Sequence, residues 1–203
     1  MKTIIITGPS GSGKSYLSNK LSKIFYNSIV IKTDSYYRDN ILIQILSNFI
    51  YDIYDRPFSI KKDELNKTLR SIQNEDRFIT FYNYNFILKK STKSIKSINY
   101  NNDNQFLIIE GIFAHRLDLN YQDTINILCD GRKDICFQRR LKRDKRERGR
   151  NNIEVKNKFK QSWNLFYKNI KYYVNNYNVM EVNLLKKDSY NRLIINLKNI
   201  KNN

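Results

Sequence analysis

Apolar residues along the chain alternate between short continuous runs and stretches of helical spacing, and the two patterns take turns. Ile4-Ile5-Ile6 predicts a buried strand over residues 3 to 7, and residues 15 to 26 place Leu17, Leu21 and Ile24 on one helical face. Ile29-Val30-Ile31 predicts a second strand. Thr33-Asp34-Ser35 stands at its carboxyl end, where open α/β sheets hold their ligands. Residues 40 to 50 are apolar enough for a short helix, which Asp55-Arg56-Pro57 breaks. Ser59 then reads as the N-cap of a helix over 60 to 73. Between 77 and 99 the β-formers Phe78, Ile79, Phe81, Tyr82, Tyr84 and Phe86 partly alternate, which predicts a strand or hairpin. Phe106 to Ile109 is a third buried strand that ends on Glu110-Gly111, and Thr124 to Leu128 a fourth that ends near Asp130. Helices over 132 to 148 and 153 to 176, a strand over 179 to 184 and a helix over 189 to 200 complete the chain. This order predicts an α/β fold with a parallel central sheet. No internal repeat or interdomain linker is visible.

Composition narrows the class. A chain of 203 residues and 24.4 kDa suits one domain with a single core, and 40% hydrophobic residues place it among globular proteins and not disordered ones. The first apolar run is too short for a signal peptide, and no stretch has the length of a membrane span. Cys129 and Cys136 lack metal-ligand spacing and read as core residues, which points to a reducing, cytoplasmic setting. The net charge of +18 suits either a nucleic acid or a polyphosphate ligand. Nucleic acid is not expected as the partner, because no nucleic-acid module is present and much of the charge lies in one block, Arg139 to Arg150.

Candidate chemistry begins at Gly8-Pro9-Ser10-Gly11-Ser12-Gly13-Lys14-Ser15, which matches G-x-x-x-x-G-K-[ST] between a predicted strand and a predicted helix. Such a loop turns backbone N–H groups onto phosphates; Lys14 reaches the β and γ phosphates and Ser15 offers a hydroxyl to a metal. The whole chain has six glycines and this loop holds three of them, so a chance match is a poor explanation. Glu110 ends a strand as the acidic partner of the loop, and Asp34 ends another where it can accept a proton from an attacking hydroxyl. Arg140 and Arg143 share a helical face, and Arg148 and Arg150 flank Gly149, a layout suited to a lid closing on phosphates.

Four segments taken together resemble the uridine-cytidine kinase family, within the wider group of P-loop nucleoside kinases and phosphoribulokinases. They are the phosphate loop, Thr33-Asp-Ser-Tyr-Tyr-Arg38, Ile109-Glu-Gly-Ile-Phe113 and Arg140-Leu-Lys-Arg-Asp-Lys-Arg-Glu-Arg-Gly-Arg150. Tyr54-Asp-Arg-Pro57 is similar to a fifth family segment, and the motifs keep family order across nearly the whole chain. The resemblance implies a three-layer α/β/α P-loop domain spanning 1 to 203, with an arginine-rich lid at about 140 to 158 and a nucleoside-binding hairpin at about 77 to 99.

By position, the resemblance makes Asp34 the general base, Asp55 the acid that holds the ribose hydroxyls and Tyr37 part of the sugar pocket. Lys14, Arg143 and Arg148 would meet the ATP phosphates, while Arg140 and Arg150 lie nearer the acceptor. Residues 8 to 15 with Tyr16 would bind ATP or GTP, and Ser15 with Glu110 would hold Mg2+. The family's base-contacting segment aligns best with Tyr84-Asn-Phe-Ile-Leu-Lys89, which puts Lys where the family has His; a two-residue shift would use Tyr82 and Ile87. Lys158 stands where the family usually has Gln, and the lone histidine, His115, reads as a surface or capping residue.

The implied activity is phosphorylation of a uridine or cytidine 5′-hydroxyl, in a protein that the resemblance makes a homotetramer. Lys89 and Lys158 keep a second expectation open, a kinase for nicotinamide riboside, pantothenate or phosphoribulose. A third is a noncatalytic nucleotide or nucleic-acid binding protein.

Overall fold

The computed structural model describes residues 1–26, 28–49, 53–100, 105–119 and 123–202, except for the side chains of 44, 47–49, 55 and 202. Five strands form a parallel sheet: β1 (Lys2–Thr7), β2 (Ile29–Lys32), β5 (Phe106–Glu110), β6 (Ile125–Asp130) and β7 (Val179–Asn183), in the order β2-β5-β1-β6-β7. An antiparallel hairpin, β3 (Phe78–Asn85) with β4 (Lys90–Ser97), stands apart from it. The helices are α1 (Lys14–Ile24), α2 (Ile41–Phe49), α3 (Lys62–Gln73), α4 (Lys133–Arg148), α5 (Asn152–Asn176) and α6 (Lys187–Asn202).

Successive strand residues face opposite sides of the sheet, and each side has its own core. Ile4, Ile6, Phe106, Ile108 and Ile127 pack with Leu17, Leu21 and Phe25 after α1 and with Leu193 and Leu197 of α6. Ile5, Ile31, Leu107 and Ile109 face the other way, against Leu65, Leu69 and Ile72 of α3 and against Tyr36 and Tyr82. On that side of β6, Leu128 meets Phe166, Ile170 and Tyr173 of α5. Buried on both faces, the strands read as continuous apolar runs.

Three details depart from the sequence-based reading. Ile24 is exposed at 39%, and Phe25 takes the buried place at the end of α1, edge-on to Phe106. Ser59 does not cap α3. It lies in a 3-10 turn, Pro57–Ser59, with its hydroxyl donating to the Arg56 carbonyl at 2.7 Å. Ile60 is held extended by a bridge to Tyr37, so α3 starts only at Lys62. His115 is neither exposed nor a cap: it is buried, its Nδ1 lies 2.7 Å from Thr7 Oγ1, and its ring packs edge-on to Phe166. Thr7 already donates its hydroxyl proton to the Ile112 carbonyl, so Nδ1 carries the proton of that bond.

Both cysteines are free and buried, as expected. No helix among the described residues is long and apolar enough to cross a membrane.

Candidate active site

The carboxyl ends of β1, β2 and β5 lie side by side and each delivers one part of the site. After β1 the chain enters the phosphate loop, where Gly11 takes a left-handed φ of 87°, and a Cβ there would stand 2.2 Å from the Cys136 carbonyl oxygen. Gly13, also left-handed, turns the chain into α1, whose first N–H groups have no intrahelical acceptor and form an anion cradle. Inside the loop the Ser12 hydroxyl is buried with no hydrogen-bond partner among the described residues, and the Lys14 ammonium donates to the Pro9 carbonyl at 3.0 Å. Burial pulls the Lys14 pKa down, and Glu110 partly restores it.

Ser15 donates its hydroxyl to Glu110 Oε1 at 2.7 Å, which joins the end of α1 to the end of β5. Burial first, then the neighbouring Asp34, pushes the Glu110 carboxyl above the usual range, against the pull of Lys14. Asp34 is half-buried in the 3-10 turn Thr33–Tyr36 after β2, and its charge acts on both Lys14 and Glu110. One hydroxyl with one or two carboxylates is a donor set suited to Mg2+, which fills its remaining positions with water and substrate phosphates. The orphaned Ser12 hydroxyl and the open N–H groups suit the phosphates themselves.

The turn that bears Asp34 leads into Tyr37, which lines a pocket together with Tyr54, Tyr84 and Phe86. Lys89, Arg140, Arg148, Arg150 and Lys158 complete its lining. The aromatic rings meet mostly edge-to-face with centroids 5.2 to 6.0 Å apart, and Tyr84 donates its hydroxyl to Tyr54 at 3.1 Å. Tyr84 and Lys89 both reach this pocket, whereas Tyr82 donates to Glu64 on α3 and Ile87 is exposed. The space measures about 40 Å³, so a molecule much larger than water enters only as lining side chains move. A larger cavity of about 600 Å³ lies between the hairpin and the start of β2, toward the amino ends of the strands and away from the loop.

The arginines divide between the two ends of the site. Arg143 leans toward the loop, with Nη2 3.4 Å from Ser10 Oγ. Arg148 lies with Arg150 in the pocket, its guanidinium 3.7 Å from the Phe86 ring centroid, and burial with the nearby Arg143 lowers its pKa to about 10. Arg140 is buried and donates to Ser162 on α5 at 2.6 Å. Lys158 is buried one turn along α5 from Glu154. Tyr16 is exposed on the outer side of α1 beneath Lys20. The side chain of Asp55, the residue expected to hold the ribose hydroxyls, lies outside the described residues.

Sequence reasoning gave no role to Tyr54, Phe86 or Asp144. Tyr54 and Phe86 stand inside quoted motifs, so proximity to Asp55 and Tyr84 was their signal. Asp144 follows Arg140 by one helical turn, the spacing of a paired charge.

A phosphate loop after β1, an acid at the end of the neighbouring strand β5 bonded to the loop's hydroxyl, and an arginine-rich helix that reaches the loop define a P-loop kinase. The Phosphoribulokinase / Uridine kinase family profile matches residues 3–184, and the chain belongs to that family. It is 32% identical over 155 residues to the uridine kinase of Haemophilus influenzae (strain PittEE), covering 72% of this chain and 70% of that one. It is 31% identical over 157 residues to the uridine kinase of Borrelia duttonii (strain Ly), covering 74% and 70%. The fold is similar to the solved structure described as a "Possible Uridine Kinase from Bacillus stearothermophilus", with a TM-score of 0.55 at 15% identity over 88% of this chain and 87% of that one.

Proposed function

We propose that this kinase transfers the γ-phosphoryl group of ATP to the 5′-hydroxyl of a pyrimidine ribonucleoside, uridine or cytidine, in the cytoplasm. The observation that supports the reading is that Asp34 acts electrostatically on Lys14 and Glu110 and sits in the turn that leads directly into Tyr37, which lines the aromatic pocket. The donor phosphates lie on the loop N–H groups and Lys14. Ser15 and Glu110 would hold Mg2+, which would supply charge neutralisation at the donor phosphates. Asp34 accepts the 5′-hydroxyl proton as that oxygen attacks phosphorus, and the ADP oxygen leaves in line. Tyr37, Tyr54, Tyr84 and Phe86 enclose the ring system, and residues 140 to 158 act as the lid that brings Arg143 to the transferring group.

A second reading follows from Lys89 and Lys158, which put two ammonium groups in the acceptor pocket where a neutral base needs none. They suit a small acceptor that carries a carboxylate or phosphate. ADP release measured with Mg-ATP and a panel of uridine, cytidine, purine ribonucleosides, nicotinamide riboside, pantothenate and ribulose 5-phosphate separates the readings. Turnover highest with uridine or cytidine is expected. Turnover with an anionic acceptor and none with any ribonucleoside would replace the first reading by the second.

A further inference from the structure

Asp144 is fully buried on α4, and its carboxylate is the centre on which the lid arginines meet. Arg143 places Nη2 2.8 Å from Oδ1, and Arg150 places Nη1 2.8 Å from Oδ2. Arg140 Nε lies 3.5 Å from Oδ2, and Arg148 Nε 3.6 Å from Oδ1. These four lead outward from the carboxylate: Arg143 reaches Ser10 of the phosphate loop, Arg140 reaches Ser162 of α5, and Arg148 and Arg150 line the aromatic pocket. The Asp144 main chain adds a second hold, because its carbonyl accepts the N–H groups of Gly149 and Arg150 where α4 ends.

Four guanidinium groups within reach of one another repel, most strongly where water is excluded. One buried carboxylate offsets part of that repulsion and gives each group a fixed direction. Burial alone would raise the Asp144 carboxyl; the arginines, Arg148 foremost, outweigh it and bring the pKa down to about 2. Asp144 is therefore ionised at any working pH, and it touches neither the loop nor the pocket itself.

We infer that Asp144 is the positioning residue of the lid, holding Arg143, Arg148 and Arg150 converged so that the phosphate end and the acceptor end of the site are set by one carboxylate. The inference rests on reading residues 140 to 158 as the lid over the transferring phosphoryl group. A residue in this role acts on turnover more than on donor binding, since the loop holds the phosphates without it.

The test is Asp144→Asn, examined in two ways. Turnover with Mg-ATP and uridine is expected to fall about 10²-fold or more, as loss of fixed charge stabilisation does, while the affinity for a fluorescent ATP analogue changes much less. Phenylglyoxal labelling followed by peptide mass mapping is expected to show Arg148 and Arg150 protected in the wild type. In the variant they should label at rates approaching that of Arg146, whose side chain is 70% exposed. Wild-type turnover and labelling in Asp144→Asn would overturn the inference, as would a turnover loss that only follows the folded fraction. If Asp144→Asn does not fold, Asp144→Glu decides. It keeps the charge but displaces it, so reduced turnover with faster labelling is expected and wild-type behaviour overturns the role. Labelling needs no acceptor, so a protein inactive on uridine would remove the proposed function and still leave the Asp144 result readable.

Discussion

Glu110 and His115 lie at the end of β5 and in the turn after it, and burial moves both toward neutrality. For Glu110 the opposing groups are at hand in Lys14 and Ser15, which keep an ionised form available to a cation. For His115 nothing opposes burial: its pKa is pressed down to about 3, so the imidazole stays neutral in the folded protein. Its pKa in the unfolded chain is the ordinary 6.5, so below pH 6.5 only the unfolded state takes up this proton. The His115 contribution to stability is therefore present above pH 6.5 and is lost as pH falls toward 3, at about 1.4 kcal/mol per pH unit once the unfolded histidine is charged. Thermal melts of the wild type and His115→Gln between pH 7 and 5 check this; the wild type should lose stability more steeply, and parallel curves would refute it. Asp34 carries the sharper prediction for catalysis. Asp34→Asn should keep ATP affinity and lose about 10² to 10⁴ in turnover, as loss of a general base does, whereas near-normal turnover would remove it from that role.

At the scale of elements, the strand ends set the spacing of the chemical groups. Gly111, just after β5, packs so close to the turn that bears Asp34 that a Cβ there would stand 1.9 Å from Thr33 Oγ1. Gly111→Ala should displace Thr33 and with it Asp34, lowering turnover more than about tenfold while the loop still binds ATP. Equal loss of ATP affinity would point instead to collapse of the β1 and β5 ends. Most of this architecture was legible in the sequence, because apolar runs such as Phe106 to Ile109 are buried on both faces and the loop glycines have few other uses. Less legible were the places where tertiary contacts override local pattern. The bridge from Tyr37 to Ile60 delays α3 beyond its apparent cap, and the Thr7 hydroxyl draws the lone histidine inward. The partners of a buried charge were hidden for the same reason: the Arg140 to Asp144 spacing is visible, but not that Arg143, Arg148 and Arg150 share that carboxylate.

Across the whole molecule the charge of +18 is large, and part of it now has an assignment. Arg140, Arg143, Arg148, Arg150 and Lys158 gather beside the loop and the pocket, where a positive field raises the local concentration of polyphosphates and anions. The parallel sheet brings the loop, Glu110 and Asp34 to the carboxyl ends of its strands, and α4 turns Arg143 toward the loop. In the proposed reaction the donor end rests on groups bonded to one another, and the acceptor end on an aromatic pocket with Lys89 and Lys158 in its wall. Product identity tests this account most directly. Phosphorus NMR of purified protein incubated with Mg-ATP and uridine should show ADP and uridine 5′-monophosphate appearing in equal amounts, and both should disappear in Asp34→Asn. ADP without the monophosphate, or no reaction with uridine or cytidine, would contradict it.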